Sequence, residues 1–128
     1  MSNAVLDASA LLAVLLHERG SEVVALALAA NASISTVNLA EVVGKLADRG
    51  MPETAVRATI NSVRIDVVDF DSDLAYSSGM LRPVTKQAGL SLGDRACLSL
   101  ARRLGVEVLT ADRTWGELNL DVAVRLIR

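Results

Sequence analysis

At 128 residues, 52% of them hydrophobic and with a mean hydropathy of +0.40, the chain has the size and apolar content of one domain with a real core, which excludes disorder. Its net charge of −2 and isoelectric point of about 5.3 exclude a nucleic-acid binder of the basic-patch kind, though not an enzyme whose metal ions carry the positive charge. Aromatic residues make up only 2%, so the core must be aliphatic, and so apolar a small domain is expected to cover part of its surface with a partner or a second copy.

In chain order, Ala4-Val5-Leu6-Asp7 reads as a short central strand ending in an acid, and Ser9 opens an apolar helix that runs to Leu16 and stops before Gly20. Ser21 to Ala30 is a second helix, rich in alanine and leucine, and Ala32 to Thr36 a second strand. A helix from Val37 to Arg49 follows, with Leu39, Val42, Val43 and Leu46 on its apolar stripe and Gly50 ending it. Pro52 suits the first turn of the next helix, which runs to Val63 and makes a helical hairpin with its predecessor. Ile65 to Phe70 alternates with acids, as an edge strand does. Asp71 to Ala88 is helical but should break or kink near Pro83. Leu90 to Leu104 is a helix stopped by Gly105, Val106 to Thr110 a buried strand, and Val122 to Ile127 a last strand. Strands alternating with helices predict one three-layer α/β/α domain over residues 1–128, around a mostly parallel sheet of about five strands.

The lone cysteine, Cys97, lies on an apolar helix stripe and reads as packing; the lone histidine, His17, has no partners for a zinc site and reads as a helix-end residue. Without a secretory leader pattern or a membrane-length apolar run, a reducing cytoplasm is the expected location and no membrane partner is expected.

Four acids stand out. Asp7 and Asp112 each sit at the C-terminal end of a strand, where open parallel sheets bind ligands. Asp94 precedes Cys97 and Leu98 by three and four residues, which extends the apolar stripe and points it toward the core or a cleft. Each also has a local reading: Asp7 and Asp94 as helix caps, Asp112 as a turn residue. Glu41 lies off its helix's stripe, and spacing alone favours a solvent-exposed i,i+4 pair with Lys45. Several carboxylates without a His or Cys cluster make a hard oxygen site suited to Mg²⁺ or Mn²⁺, the ions that assist phosphodiester hydrolysis. No phosphate-binding Gly-x-x-x-x-Gly-Lys loop, Gly-x-Gly-x-x-Gly fingerprint or Gly-x-Ser-x-Gly elbow is present. A phosphoaspartyl phosphatase would want a second Asp where Ser9 stands, and a phosphoacceptor domain a late-strand Lys, but no Lys follows Lys86.

Val5-Leu6-Asp7-Ala8-Ser9-Ala10-Leu11-Leu12, Glu41 on an early helix, Leu90-Ser91-Leu92-Gly93-Asp94-Arg95-Ala96-Cys97-Leu98 and Leu109-Thr110-Ala111-Asp112-Arg113-Thr114-Trp115 together resemble the PIN-domain nucleases, and more narrowly the VapC-type toxin ribonucleases of bacterial toxin–antitoxin pairs. The resemblance spans nearly the whole chain. It implies that Asp7, Glu41, Asp94 and Asp112 converge as a catalytic site for Mg²⁺ or Mn²⁺, with Ser9 and Thr110 supporting the carboxylates. It further implies an endoribonuclease acting on single-stranded RNA, a homodimer, and a cognate antitoxin lying over helices near the site. Two rivals stay open at this point: a non-catalytic PIN-like RNA- or protein-binding module, and a DNA or structure-specific nuclease, since contacts to the 2′-OH cannot be read from sequence.

Overall fold

Ala4–Leu6 forms β1, the centre of the sheet and buried at all three positions, in a computed structural model that describes residues 1–128. Outward on one side lie β2 (Ala32–Ser35) and β3 (Asp66–Val68); on the other lie β4 (Glu107–Thr110) and β5 (Val124–Leu126). The order is β3-β2-β1-β4-β5 and every neighbouring pair is parallel, so the expectation of a mostly parallel sheet becomes a wholly parallel one. The chain builds outward from β1 to β3, then returns to the other side of β1. The gap between the ends of β1 and β4 is therefore the topological switch point, where the adjoining connections run in opposite directions and leave a crevice.

The crossovers are α1 (Ala8–Leu15), α2 (Ser21–Ala29), α3 (Thr36–Asp48), α4 (Glu53–Asn61), α5 (Ser72–Met80), α6 (Arg82–Thr85) and α7 (Leu92–Leu104), with a 3₁₀ turn at Arg113–Glu117. Alternation along the strands divides the core. Leu6, Ile34 and Leu109 face one layer with Leu11, Val24, Val42 and Leu46, whereas Val5 and Val108 face the other with Leu74, Leu98, Leu100 and Trp115.

The expected helix from Asp71 to Ala88 is divided at Leu81, between α5 and α6. Pro83 stands in the first turn of α6, where a missing N–H costs no helical hydrogen bond, so the break comes before the proline and not at it. β3 and β5 are shorter than the strands expected there, and β3 is at the sheet edge as its alternating acids predict. His17 follows α1 with φ of 55°, a left-handed stop, and Cys97 is fully buried packing. The 3₁₀ turn has no counterpart in the sequence pattern; it exists because Trp115, 1% exposed, turns inward to fill the second core layer. No helix is long and apolar enough to cross a membrane.

Candidate metal centre

Asp7 leaves β1 at the switch point and caps α1, accepting from Ala10 N at 2.9 Å. Ser9 Oγ donates to the same Oδ1 at 2.6 Å, and Thr110 Oγ1 at the end of β4 donates to Oδ2. Each hydroxyl also accepts from β4's outgoing backbone: Ala111 N bonds Ser9 Oγ at 2.9 Å and Asp112 N bonds Thr110 Oγ1 at 3.0 Å. Ser9 and Thr110 thus hold Asp7 and lace the ends of two adjacent strands together. Asp7 is only 6% exposed, and burial raises its pKa above 3.8; the hydrogen bonds from Ser9, Thr110 and Ala10 act against that rise, and the charge of Asp94 adds to it. Asp112, exposed and linked to Asp7 through Thr110, caps the 3₁₀ turn with Oδ1, which accepts from Thr114 N at 3.0 Å and Thr114 Oγ1 at 2.7 Å.

Glu41 meets α7 at Gly93, the residue before Asp94. A Cβ placed on Gly93 would lie 2.5 Å from Glu41 Oε1 and 2.7 Å from Oε2, so the carboxylate rests directly on the first turn of α7. Asn38, one turn before Glu41, donates from Nδ2 to Glu41 Oε1 at 2.9 Å and to Gly93 O at 3.0 Å. Lys45 takes part in none of the five ion pairs, so the spacing-based pairing with Glu41 is not made. Asp94 is half-buried and not turned into the core. It forms a reciprocal capping box with Ser91, in which Ser91 N donates to Asp94 Oδ2 at 2.9 Å and Asp94 N to Ser91 Oγ at 3.2 Å. Of the two readings of Asp94, the stripe pointing to the core or a cleft and the helix cap, the cap is the one formed, because the unpaired N–H groups at a helix start draw the carboxylate back over the first turn.

Three of these acids share one electrostatic field. Asp94 acts on Asp7, and the Cys97 thiol is pushed well up, foremost by burial and then by the charges of Asp7, Asp94 and Glu41. None of the four acids is matched by an Arg or Lys; all five ion pairs lie elsewhere. As they stand, no three His, Cys, Asp or Glu side chains converge tightly enough to grip one ion. An all-oxygen set of this kind still fits Mg²⁺ or Mn²⁺ and does not fit a soft metal. Mg²⁺ characteristically takes one or two carboxylates, keeps waters, and completes its shell with substrate phosphate.

Sequence reasoning passed over Asn38, Gly93 and Ser91. The Ser91-x-x-Asp94 spacing is a capping-box signature that was available to find Ser91. Asn38 carried one signal, a polar residue four and eight residues before Val42 and Leu46 at the head of a buried stripe. Gly93 carried none, because its partner is 52 positions away in a different helix.

Among solved structures, DNA-bound VapBC from Salmonella typhimurium matches with a TM-score of 0.80 at 17% identity, covering 100% of both chains. VapBC2 from Rickettsia felis, bound to a DNA fragment from its promoter, matches at 0.75 and 17% identity, covering 96% of this chain and 97% of that one. VapC20 from Mycobacterium tuberculosis, a sarcin-ricin loop cleaving toxin, matches at 0.67 and 16% identity, covering 94% and 98%. At such identities the likeness is one of fold. Among curated proteins none matches the sequence. The sequence matches the PIN domain family over residues 4–119, nearly the whole chain and all four acids included, and the protein belongs to that family.

Proposed function

We propose that the protein is a Mg²⁺- or Mn²⁺-dependent endonuclease of single-stranded RNA, with Asp7, Glu41, Asp94 and Asp112 as the metal-holding catalytic acids, and that it serves as the toxin of a toxin–antitoxin pair. The observation that carries this reading is Asp7, 6% exposed, and Asp112 at the strand ends flanking the switch point of a parallel sheet, with Glu41 and Asp94 on α3 and α7 and no protein cation paired with any of the four. Carboxylates in that position serve as a receptacle for cations. A divalent ion bound there supplies positive charge to the scissile phosphate and a more acidic water. The chain's own part is to orient. Ser9, Thr110 and Ala10 N fix both oxygens of Asp7, the Ser91 capping box fixes Asp94, and the Gly93 shelf receives Glu41. Asp112 Oδ1 is held by Thr114 N and Thr114 Oγ1.

Partners follow from relatives and from surface. The relatives named as VapBC are toxin–antitoxin assemblies, which supports a cognate antitoxin here. Tyr76, Met80 and Val84 stand exposed along α5 and α6, and Leu39, Val43, Val56 and Ile60 line a groove of about 620 Å³ between α3 and α4. Apolar surface of this kind supports protein partners, an antitoxin and a second copy of the chain.

The test is cleavage of several single-stranded RNAs, and of DNA strands of the same sequence, by purified protein with Mg²⁺ or Mn²⁺. RNA cleavage is expected, abolished by EDTA and by Asp94→Asn. Because Asn keeps an acceptor for Ser91 N, the variant should melt within a few degrees of the parent. Cleavage of DNA alone would replace RNA as the substrate, and normal RNA cleavage by Asp94→Asn would remove Asp94 from the site.

A further inference from the structure

Asn38 sits where a hydrophobic residue is expected. The buried positions of α3 are Asn38, Val42 and Leu46, a single stripe at helical spacing, and Asn38 is 1% exposed. A carboxamide buried without partners is destabilising, so its bonds must account for its place. It makes two. One Nδ2 proton goes to Glu41 Oε1 at 2.9 Å on its own helix, and the other to Gly93 O at 3.0 Å on α7. Both partners are oxygen acceptors, which fixes the amide's orientation: turned over, Oδ1 would face two oxygens. The arrangement leaves Oδ1 buried and without a donor. An aspartate or an aliphatic side chain there could not donate twice. On the other side of the contact, Gly93 gives up its side chain, since a Cβ would stand 2.5 Å from the carboxylate that Asn38 holds.

We infer that Asn38 is a positioning residue that seats the Glu41 carboxylate on the first turn of α7, so that Glu41 and Asp94, borne on two different helices, reach a metal ion as one unit. This rests on the metal-centre reading above. Glu41 is exposed and on a flexible side chain, and no cation holds it in place. The amide of Asn38 is its only hydrogen-bonding partner. Outer-shell groups that orient a ligand characteristically carry 10–100-fold of metal affinity. A simple strap between α3 and α7 would also be buried and hydrogen-bonded, but its loss would not depend on whether residue 41 is a carboxylate.

The experiment measures Mn²⁺ affinity by calorimetry, without RNA, for the parent, Asn38→Ala, Glu41→Gln and the double variant, each first checked for a cooperative melt. Asn38→Ala is expected to bind Mn²⁺ about tenfold or more weakly. In the Glu41→Gln background the same substitution is expected to change affinity little, because the group it acts through is gone. Should Asn38→Ala fail to fold, Asn38→Ser, which keeps a short donor but cannot span both acceptors, takes its place with the same expected loss. Unchanged binding by the folded variant overturns the inference, as does an equal loss in both backgrounds. If the parent binds Mn²⁺ and Glu41→Gln binds as tightly, Glu41 is no ligand and the inference fails while a centre built on the three aspartates stands. If the parent binds no Mn²⁺, the metal reading falls and this inference with it.

Discussion

At Asp7 the helix cap and the proposed metal role are compatible within one arrangement. Its Oδ1 caps α1 through Ala10 N, and the same capping geometry turns Oδ2 toward Thr110 across the switch point. The cost is a carboxylate held out of water. Because burial raises its pKa above 3.8 in the folded state, the folded protein binds the proton more tightly than the unfolded chain does. The destabilisation is therefore complete at neutral pH and fades as pH falls through the raised folded value toward 3.8. In EDTA, Asp7→Asn should accordingly melt above the parent at pH 7, and the gap should close as pH falls toward 4. A gap that widens on acidification would mean that the hydrogen bonds outweigh burial. Lys45→Ala is expected to cost about 0.5 kcal/mol or less and to leave cleavage intact, since Lys45 holds no ion partner; urea melts and RNA assays check both. The strand-end placement of Asp7 and Asp112 was legible because a strand-ending acid declares itself within a few residues. The seat of Glu41 against Gly93 was not, since local spacing names Lys45 as its neighbour, and only the family resemblance singled Glu41 out.

At the scale of elements, α7 carries the most. Its capping box places Asp94, its missing Cβ at residue 93 receives Glu41, and its buried face, from Ala96 to Ala101, fills the second core layer. Its C-terminal half is tied to α5 by a forked pair, Arg103 to Asp71 at 2.8 and 3.0 Å, which holds the Asp71 carboxyl at about 2, well below its ordinary value. Gly93→Ala separates the element's two tasks. The helix itself gains from propensity, though by less than the helix-interior value of about 1 kcal/mol, since residue 93 is in the first turn. The new Cβ meets the Glu41 carboxylate, which is the movable end of an exposed side chain and gives way without straining the backbone. The fold should survive with a melting temperature equal to or above the parent's, while Mn²⁺ affinity and RNA cleavage fall, affinity by about tenfold or more. Full activity would show that Glu41 does not need its seat. The helix could be read from periodicity and its stop from Gly105, while the Ser91–Asp94 cap left its signature only in the Ser91-x-x-Asp94 spacing. The tight approach of α3 to α7 could not be read, since it is a contact between two elements that each look ordinary alone.

For the whole molecule, alternation of strands and helices was enough to predict the layers and the acid-bearing edge, but not which strand lies beside which. The order β3-β2-β1-β4-β5 is settled by long-range packing, and the chain's end takes part in it. β5 pairs with β4, and Ile127 N bonds Thr110 O at 3.0 Å, on the same residue whose hydroxyl holds Asp7. Ile127 is in turn pressed against the turn between α1 and α2: Gly20 has φ of +95°, and a Cβ there would lie 2.5 Å from Ile127 O, a backbone atom and not the movable end of a side chain. Gly50 offers a matched comparison, with φ of +89° and open space where its Cβ would stand. Alanine at Gly50 meets only the left-handed backbone cost, about 1–2 kcal/mol. Alanine at Gly20 meets that cost and must also push the last strand off β4. Gly20→Ala should therefore lower the melting temperature at least twice as far as Gly50→Ala, and amide exchange should show β5 losing protection ahead of β1. Equal losses from the two variants would mean that the C-terminal strand yields freely, and that the sheet edge beside Thr110 is held by β4 alone.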